Sequence, residues 1–176
     1  MSPGPTYPEE PADPFPAPPR TVEDGKDREI RFVALDEEVP ERLVEMYVAF
    51  DPADRAQGVP PTGEGAIREW LSGLFAGGGY NIVAKHGERI VGHATLVPDT
   101  DEAYELAIFV VQGYQGAGIG TELIHTLLGY GQEEGVKKVW LTVERWNHAA
   151  KHLYEKVGFH ESGTEAFEVE MTIRLR

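Results

Sequence analysis

From residue 29 onward, apolar and polar positions recur with two different periods. EIRFVAL (29–35) sets Ile30, Phe32 and Ala34 against Arg31 and Val33, the alternation of a strand. VPERLVEMYVAF (39–50) spaces Val39, Leu43, Met46, Tyr47 and Phe50 as one helical face. After the breaker-rich loop 50–65, AIREWLSGLFAG (66–77) does the same with Ile67, Trp70, Leu71 and Leu74, and Gly77–Gly79 end it. In 80–99 two apolar runs flank HGE, a hairpin signal, and AYELAIFVV (103–111) is a strand apolar enough for burial on both faces. Residues 116–134 predict a helix with Ile119, Leu123, Ile124, Leu127 and Leu128 inward, and KKVWLTVE (137–144) a strand. NHAAKHLYEKV (147–157) predicts a helix with Asn147 as N-cap and Gly158 as C-cap. Residues 159–175 alternate as a final strand pair turning near Gly163. The order β-α-α-β-β-β-α-β-α-β-β predicts an α/β (α+β) fold, a mixed sheet of about seven strands flanked by about four helices.

Residues 1–28 break this pattern. Eight of the thirteen prolines fall in the first twenty positions, and TVEDGKDR follows with charge. Proline cannot donate a backbone hydrogen bond, so 1–28 is expected to be an extended, disordered, solvated tail outside a domain of residues 29–176. MSPGPTYPEE has no basic n-region and no apolar h-region, and no apolar stretch approaches the ~20 residues of a membrane span, so a cytoplasmic location is expected.

The 176 residues carry thirty acids against sixteen bases, a net charge of −14. This acidic surface disfavours nucleic acid and anionic lipid, and it suits a cationic substrate or serves as a solvation device. The absence of cysteine excludes a disulfide framework and a thiol nucleophile.

The candidate chemistry sits at VVQGYQGAGIGTEL (110–123), where a strand ends, four glycines follow and a helix begins. Helix N-termini carry unpaired N–H groups and partial positive charge, and glycines let an anion approach them. The junction is therefore a candidate phosphate cradle, or else a tight strand-to-helix turn. A P-loop needs a lysine that is absent, and the Gly116–Gly118–Gly120 spacing misses the dinucleotide fingerprint.

QGAGIG (115–120) resembles the Q/R-x-x-G-x-G/A motif of the GNAT superfamily of acetyl-CoA-dependent N-acetyltransferases. NHAAKHLYEKVGF (147–159) is similar to that family's second region, through Asn147, Ala150, Leu153, Tyr154, Glu155, Lys156, Gly158 and Phe159. The resemblance spans roughly 29–175 and departs from the pattern at Gln112, where a proline is common. It implies a mostly antiparallel sheet and acetyl-CoA as co-substrate. Gln115, Gly116, Ala117, Gly118, Ile119 and Gly120 are then expected to hold the pyrophosphate, with Asn147 also on the cofactor. The main chain at Ile108 and Val110 would pair with the pantetheine arm, Ile108 offering its N–H to the thioester oxygen.

The resemblance further implies Tyr154 as general acid and Glu105 as general base. Each has a plain alternative, core packing for Tyr154 and a surface carboxylate for Glu105; Glu144 and Glu102 are other candidate bases. His93, in a strand bordering the acceptor site, either helps deprotonate the amine or simply lines the sheet. His148 and His152 share a helix face, but HAAKH lacks the glutamate of HExxH, and no metal is expected. The expected acceptor is a protein lysine, with similarity to prokaryotic protein-lysine acetyltransferases; a polyamine or amino sugar is the rival. A non-catalytic acyl-CoA sensor is the reading from another class. Residues 159–175 are a candidate homodimer surface.

Overall fold

The computed structural model describes residues 5–55, 59–99, 102–164 and 167–176. Part of the expected 50–65 loop (56–58) and part of the final turn (165–166) lie outside the described residues. The elements run β1 (Arg20–Glu23), β2 (Glu29–Leu35), α1 (Glu41–Val48), α2 (Glu64–Ala76), β3 (Tyr80–His86), β4 (Arg89–Pro98), β5 (Ala103–Val110), α3 (Ile119–Glu133), β6 (Lys138–Glu144), α4 (His148–Val157), β7 (His160–Thr164) and β8 (Glu168–Arg174). Short 3-10 turns occupy Pro52–Asp54 and Gln112–Tyr114. No helix among the described residues is long and apolar enough to cross a membrane.

One sheet holds all eight strands in the order β1-β2-β3-β4-β5-β6-β8-β7. Every pairing is antiparallel except β5 with β6. The helices cover both faces. A β-carbon on Gly92 would lie 2.8 Å from Leu123 Cδ1, so the even positions of β4 face α3. The neighbouring His93 reaches Tyr47 of α1 instead. Cross-strand pairing carries this alternation into β5. Ile108 and Val110 lie with Ala94 and Gly92 on the α3 face, and Glu105 and Phe109 lie with Val97 and His93 on the α1 face.

Two features differ from expectation. Residues 5–28 do not leave the fold: Arg20–Glu23 form β1, the antiparallel neighbour of β2. The proline segment before it runs as an arm over the molecule. Thr172 Oγ1 donates to Thr6 O, Arg174 Nε donates to Pro8 O, and Ala12 N donates to Arg174 O. The arm then follows α3, where Phe15 N donates to Gln132 Oε1 and Arg20 meets Thr126 and Glu122. Prolines lack a donor but keep a carbonyl acceptor, which Pro8 uses, while the non-proline residues Ala12 and Phe15 supply the arm's own N–H donors.

The second difference is in β5. Its apolar run predicts burial on both faces, yet Ala107, Ile108 and Val110 are only half-buried. The cause is the β5–β6 pairing. It spans Ala103–Glu105 against Lys138–Trp140, and no further register joins the two strands among the described residues. Beyond Glu105 the sheet is open along this edge.

Candidate active site

The open edge presents main-chain groups whose direction follows from strand alternation. Ala103 O accepts from Asp99 N and Val111 N donates to Val91 O, so odd positions of β5 point toward β4. The N–H and C=O of Ile108 therefore point into the gap beside β6. Val110 does likewise, and its carbonyl accepts from Gln115 Nε2 at 3.0 Å. The same nitrogen reaches Asp54 Oδ2 at 3.2 Å, tying the glycine loop to the α1–α2 connection.

The glycine loop turns the chain from β5 into α3. Helix starts at Ile119 rather than at 116, because Gly116 and Gly118 adopt φ of +72° and +86°. Side chains are strained in that region. A β-carbon added to either would meet nothing within 4 Å. This is open space at the positive end of α3, where an anionic group such as a pyrophosphate could approach. A β-carbon on Gly120 would lie 3.8 Å from Ile108 Cδ1, so the helix start and the open strand adjoin.

Glu105 stands where β5 and β6 part, in register with Trp140. Its carboxyl is half-buried, and burial raises its pKa above the ordinary 4.5, with the charges of Asp99 and Glu168 adding to the rise. Trp140 Nε1 donates to Asp99 Oδ2 at 2.7 Å, which fixes one of those charges. Of the other candidate carboxylates, Glu144 lies at the far end of β6 opposite Glu168, and Glu102 is exposed before β5.

Tyr154 lies on the inner face of α4, its ring centroid 5.9 Å from that of Phe159. Burial pushes its hydroxyl up to about 12, so it holds its proton at any working pH. Asn147 caps α4, its Oδ1 accepting from Ala150 N at 3.1 Å. His148 and His152 are both exposed.

His93 lines the sheet. It is fully buried, and burial lowers its pKa to about 3. Its Nε2 lies 2.8 Å from Asn81 Oδ1, which only accepts, so Nε2 carries the proton and Nδ1 accepts from Tyr47 Oη at 2.6 Å. Sequence reasoning missed this triad, although Tyr47 and His93 were both singled out. Tyr47 also packs edge-on against Trp70 and Phe109, giving the α1 face beside Glu105 an aromatic floor. Also missed was the turn Asp24–Arg28, which touches the glycine loop; the Asp-Gly pair at 24–25 was its only local sign.

The chain is similar to several known proteins. An uncharacterized N-acetyltransferase of Mycobacterium bovis is 36% identical over 89 residues, covering 50% of this chain and 57% of that protein. The [ribosomal protein bS18]-alanine N-acetyltransferase of Haemophilus influenzae is 37% identical over 81 residues, covering 46% of this chain and 55% of its own. The alignments thus span little more than half the length of these relatives. Among solved structures, the GNAT domain of S. lividans PAT superposes with TM-score 0.72 at 16% identity, over 89% of this chain and 97% of that one. The yncA protein of Salmonella typhimurium, solved with its cofactor acetyl-CoA, gives 0.64 at 18% identity, over 84% and 94%. Residues 41–159 match the model of the Acetyltransferase (GNAT) family, and this chain belongs to that family.

Proposed function

We propose that this chain transfers an acetyl group from acetyl-CoA to a primary amine presented by a protein, a lysine side chain or an α-amine. The observation that carries the reading is Glu105, a half-buried carboxyl of raised pKa at the point where β5 and β6 part. A base of this kind matches a nucleophile that must shed a proton near neutrality.

Acetyl-CoA supplies an acyl thioester, whose carbonyl an amine attacks. The residues present fit it. The N–H groups at Gly116–Gly120 and the start of α3 bind the pyrophosphate. The main chain of Ile108 and Val110 takes the pantetheine arm as an added strand, and Ile108 N–H is the donor for the thioester oxygen. The Glu105 carboxylate accepts the ammonium proton from the α1 face. Tyr154 Oη gives its proton to the leaving sulfur as the C–S bond breaks. Tyr47, Trp70 and Phe109 exclude water on the acceptor side.

A protein acceptor is supported by the similarity to enzymes named for acetylating ribosomal protein bS18. A second reading, a small polyamine, is favoured by the acids around Glu105 and by the likeness of fold to a spermidine N-acetyltransferase chimera. The deciding experiment incubates the protein with acetyl-CoA and either lysine-containing peptides, free α-amino peptides or spermidine, and reads acetylation by mass spectrometry. Peptide acetylation above spermidine supports the proposal. Spermidine turnover alone replaces it with the second reading. CoA binding without turnover of any amine leaves the sensor.

A further inference from the structure

The glycine loop is fastened from two sides. On one, Gln115 Nε2 donates to Val110 O and Asp54 Oδ2. On the other, the β1–β2 turn holds it. Gly25 N donates to Ala117 O at 2.8 Å. Arg28 Nη1 donates to Gly113 O at 3.2 Å, and its guanidinium lies 4.0 Å over the Tyr114 ring. Tyr114 is braced in turn by His86, whose Nδ1 lies 2.6 Å from its hydroxyl. The turn is itself tied: Asp24 Oδ1 accepts from Lys26 N and Arg28 N, and Oδ2 accepts from Arg28 Nε at 2.7 Å.

The peptide linking Ala117 to Gly118 is planar, so its C=O and N–H point in opposite directions. With Ala117 C=O drawn back onto Gly25, the Gly118 N–H is aimed away from the turn. We propose that Asp24, Gly25 and Arg28 are positioning residues for acetyl-CoA: the N-terminal hairpin turn holds the pyrophosphate loop from behind and sets its donors before the ligand arrives. This rests on the pyrophosphate reading of residues 115–120.

The experiment measures CoA affinity calorimetrically and amide exchange of the ligand-free protein, for the wild type, Arg28→Ala, Arg28→Lys and Gly25→Pro. A loop held by one charge-assisted bond fewer should bind CoA roughly tenfold more weakly in Arg28→Ala. The Gly25 amide, bonded to Ala117 O, should exchange faster, kcat at saturating acetyl-CoA should stay within about twofold, and Arg28→Lys should recover part of the affinity. Wild-type affinity and exchange in variants of wild-type Tm would overturn the proposal. If the variants do not fold, the wild type decides. By linkage, CoA binding must slow exchange of the Gly25 amide, and an unaffected Gly25 amide in CoA-bound protein sinks the positioning role. No CoA binding by the wild type sinks the underlying reading with it.

Discussion

Gly129 of α3 and Pro16 of the N-terminal arm meet backbone to backbone: a β-carbon on Gly129 would fall well inside contact distance of the Pro16 carbonyl. A glycine in mid-helix ordinarily costs stability, here offset by the close passage it permits. Gly129→Ala in the full chain should therefore lower stability by about 1–3 kcal/mol, the usual cost of overpacking. In a chain lacking residues 1–19 the same change should be neutral or raise Tm, since alanine then contributes only its helix propensity of about 1 kcal/mol. Thermal unfolding of the four proteins checks this, and the same sign in both backgrounds would mean that the arm does not press on α3.

Glu105→Gln should separate activity from stability. Turnover should fall about 10²- to 10⁴-fold, the range for a general base. A carboxyl whose folded pKa is raised favours the folded state while protonated in both states. That contribution is present below the unfolded value near 4.5 and is lost as pH rises through the folded one. At pH 8 Glu105→Gln should therefore unfold at or above the wild-type temperature, the gap closing toward pH 4. A lower Tm at pH 8 would contradict the burial argument.

Tyr154→Phe should lower kcat by about 10²-fold or more while CoA affinity, read by calorimetry, changes little. The ring keeps its place against Phe159, so the fold should survive. Equal losses in CoA affinity and in kcat/KM with kcat unchanged would reduce Tyr154 to packing.

His93 should govern acid stability. A histidine held neutral when folded, with pKa lowered from 6.5 to about 3, contributes stability present above 6.5 and lost as pH falls toward 3. The slope in that window is about 1.4 kcal/mol per pH unit. Denaturant titrations from pH 7 to 4 should show it, and His93→Gln should flatten it. The pH–rate profile above pH 7 should not carry a His93 titration; a kinetic pKa near 6.5 abolished by His93→Gln would return it to the base role.

From β2 onward the element order was legible because each element announces itself locally, through Ile30 and Phe32 alternating in β2 or Asn147 and Gly158 bracketing α4. The strand–glycine–helix junction was legible as a turn, and two of its glycines, Gly116 and Gly118, do take positive φ. What escaped was long-range. Prolines 8 and 16 mark a segment that makes no helix or central strand, but nothing local says that Arg174 donates to one or that Gly129 makes room for the other. β5 was expected to be buried because its composition is apolar; its exposure is set by β6, thirty residues on, turning away after Trp140. The state of His93 depended on Asn81 and Tyr47, which lie on other elements.

The brevity of that parallel pairing has a consequence for the protein's lifetime. A sheet left open at Ile108 points that residue's N–H and C=O into the gap beside β6, and a strand-shaped ligand lying there would pair with them as another strand would. Ligand at one hundred times its dissociation constant adds about 2.7 kcal/mol to folding, and none when it is scarce. If acetyl-CoA is that ligand, resistance to proteolysis would rise and fall with the supply of activated acetate.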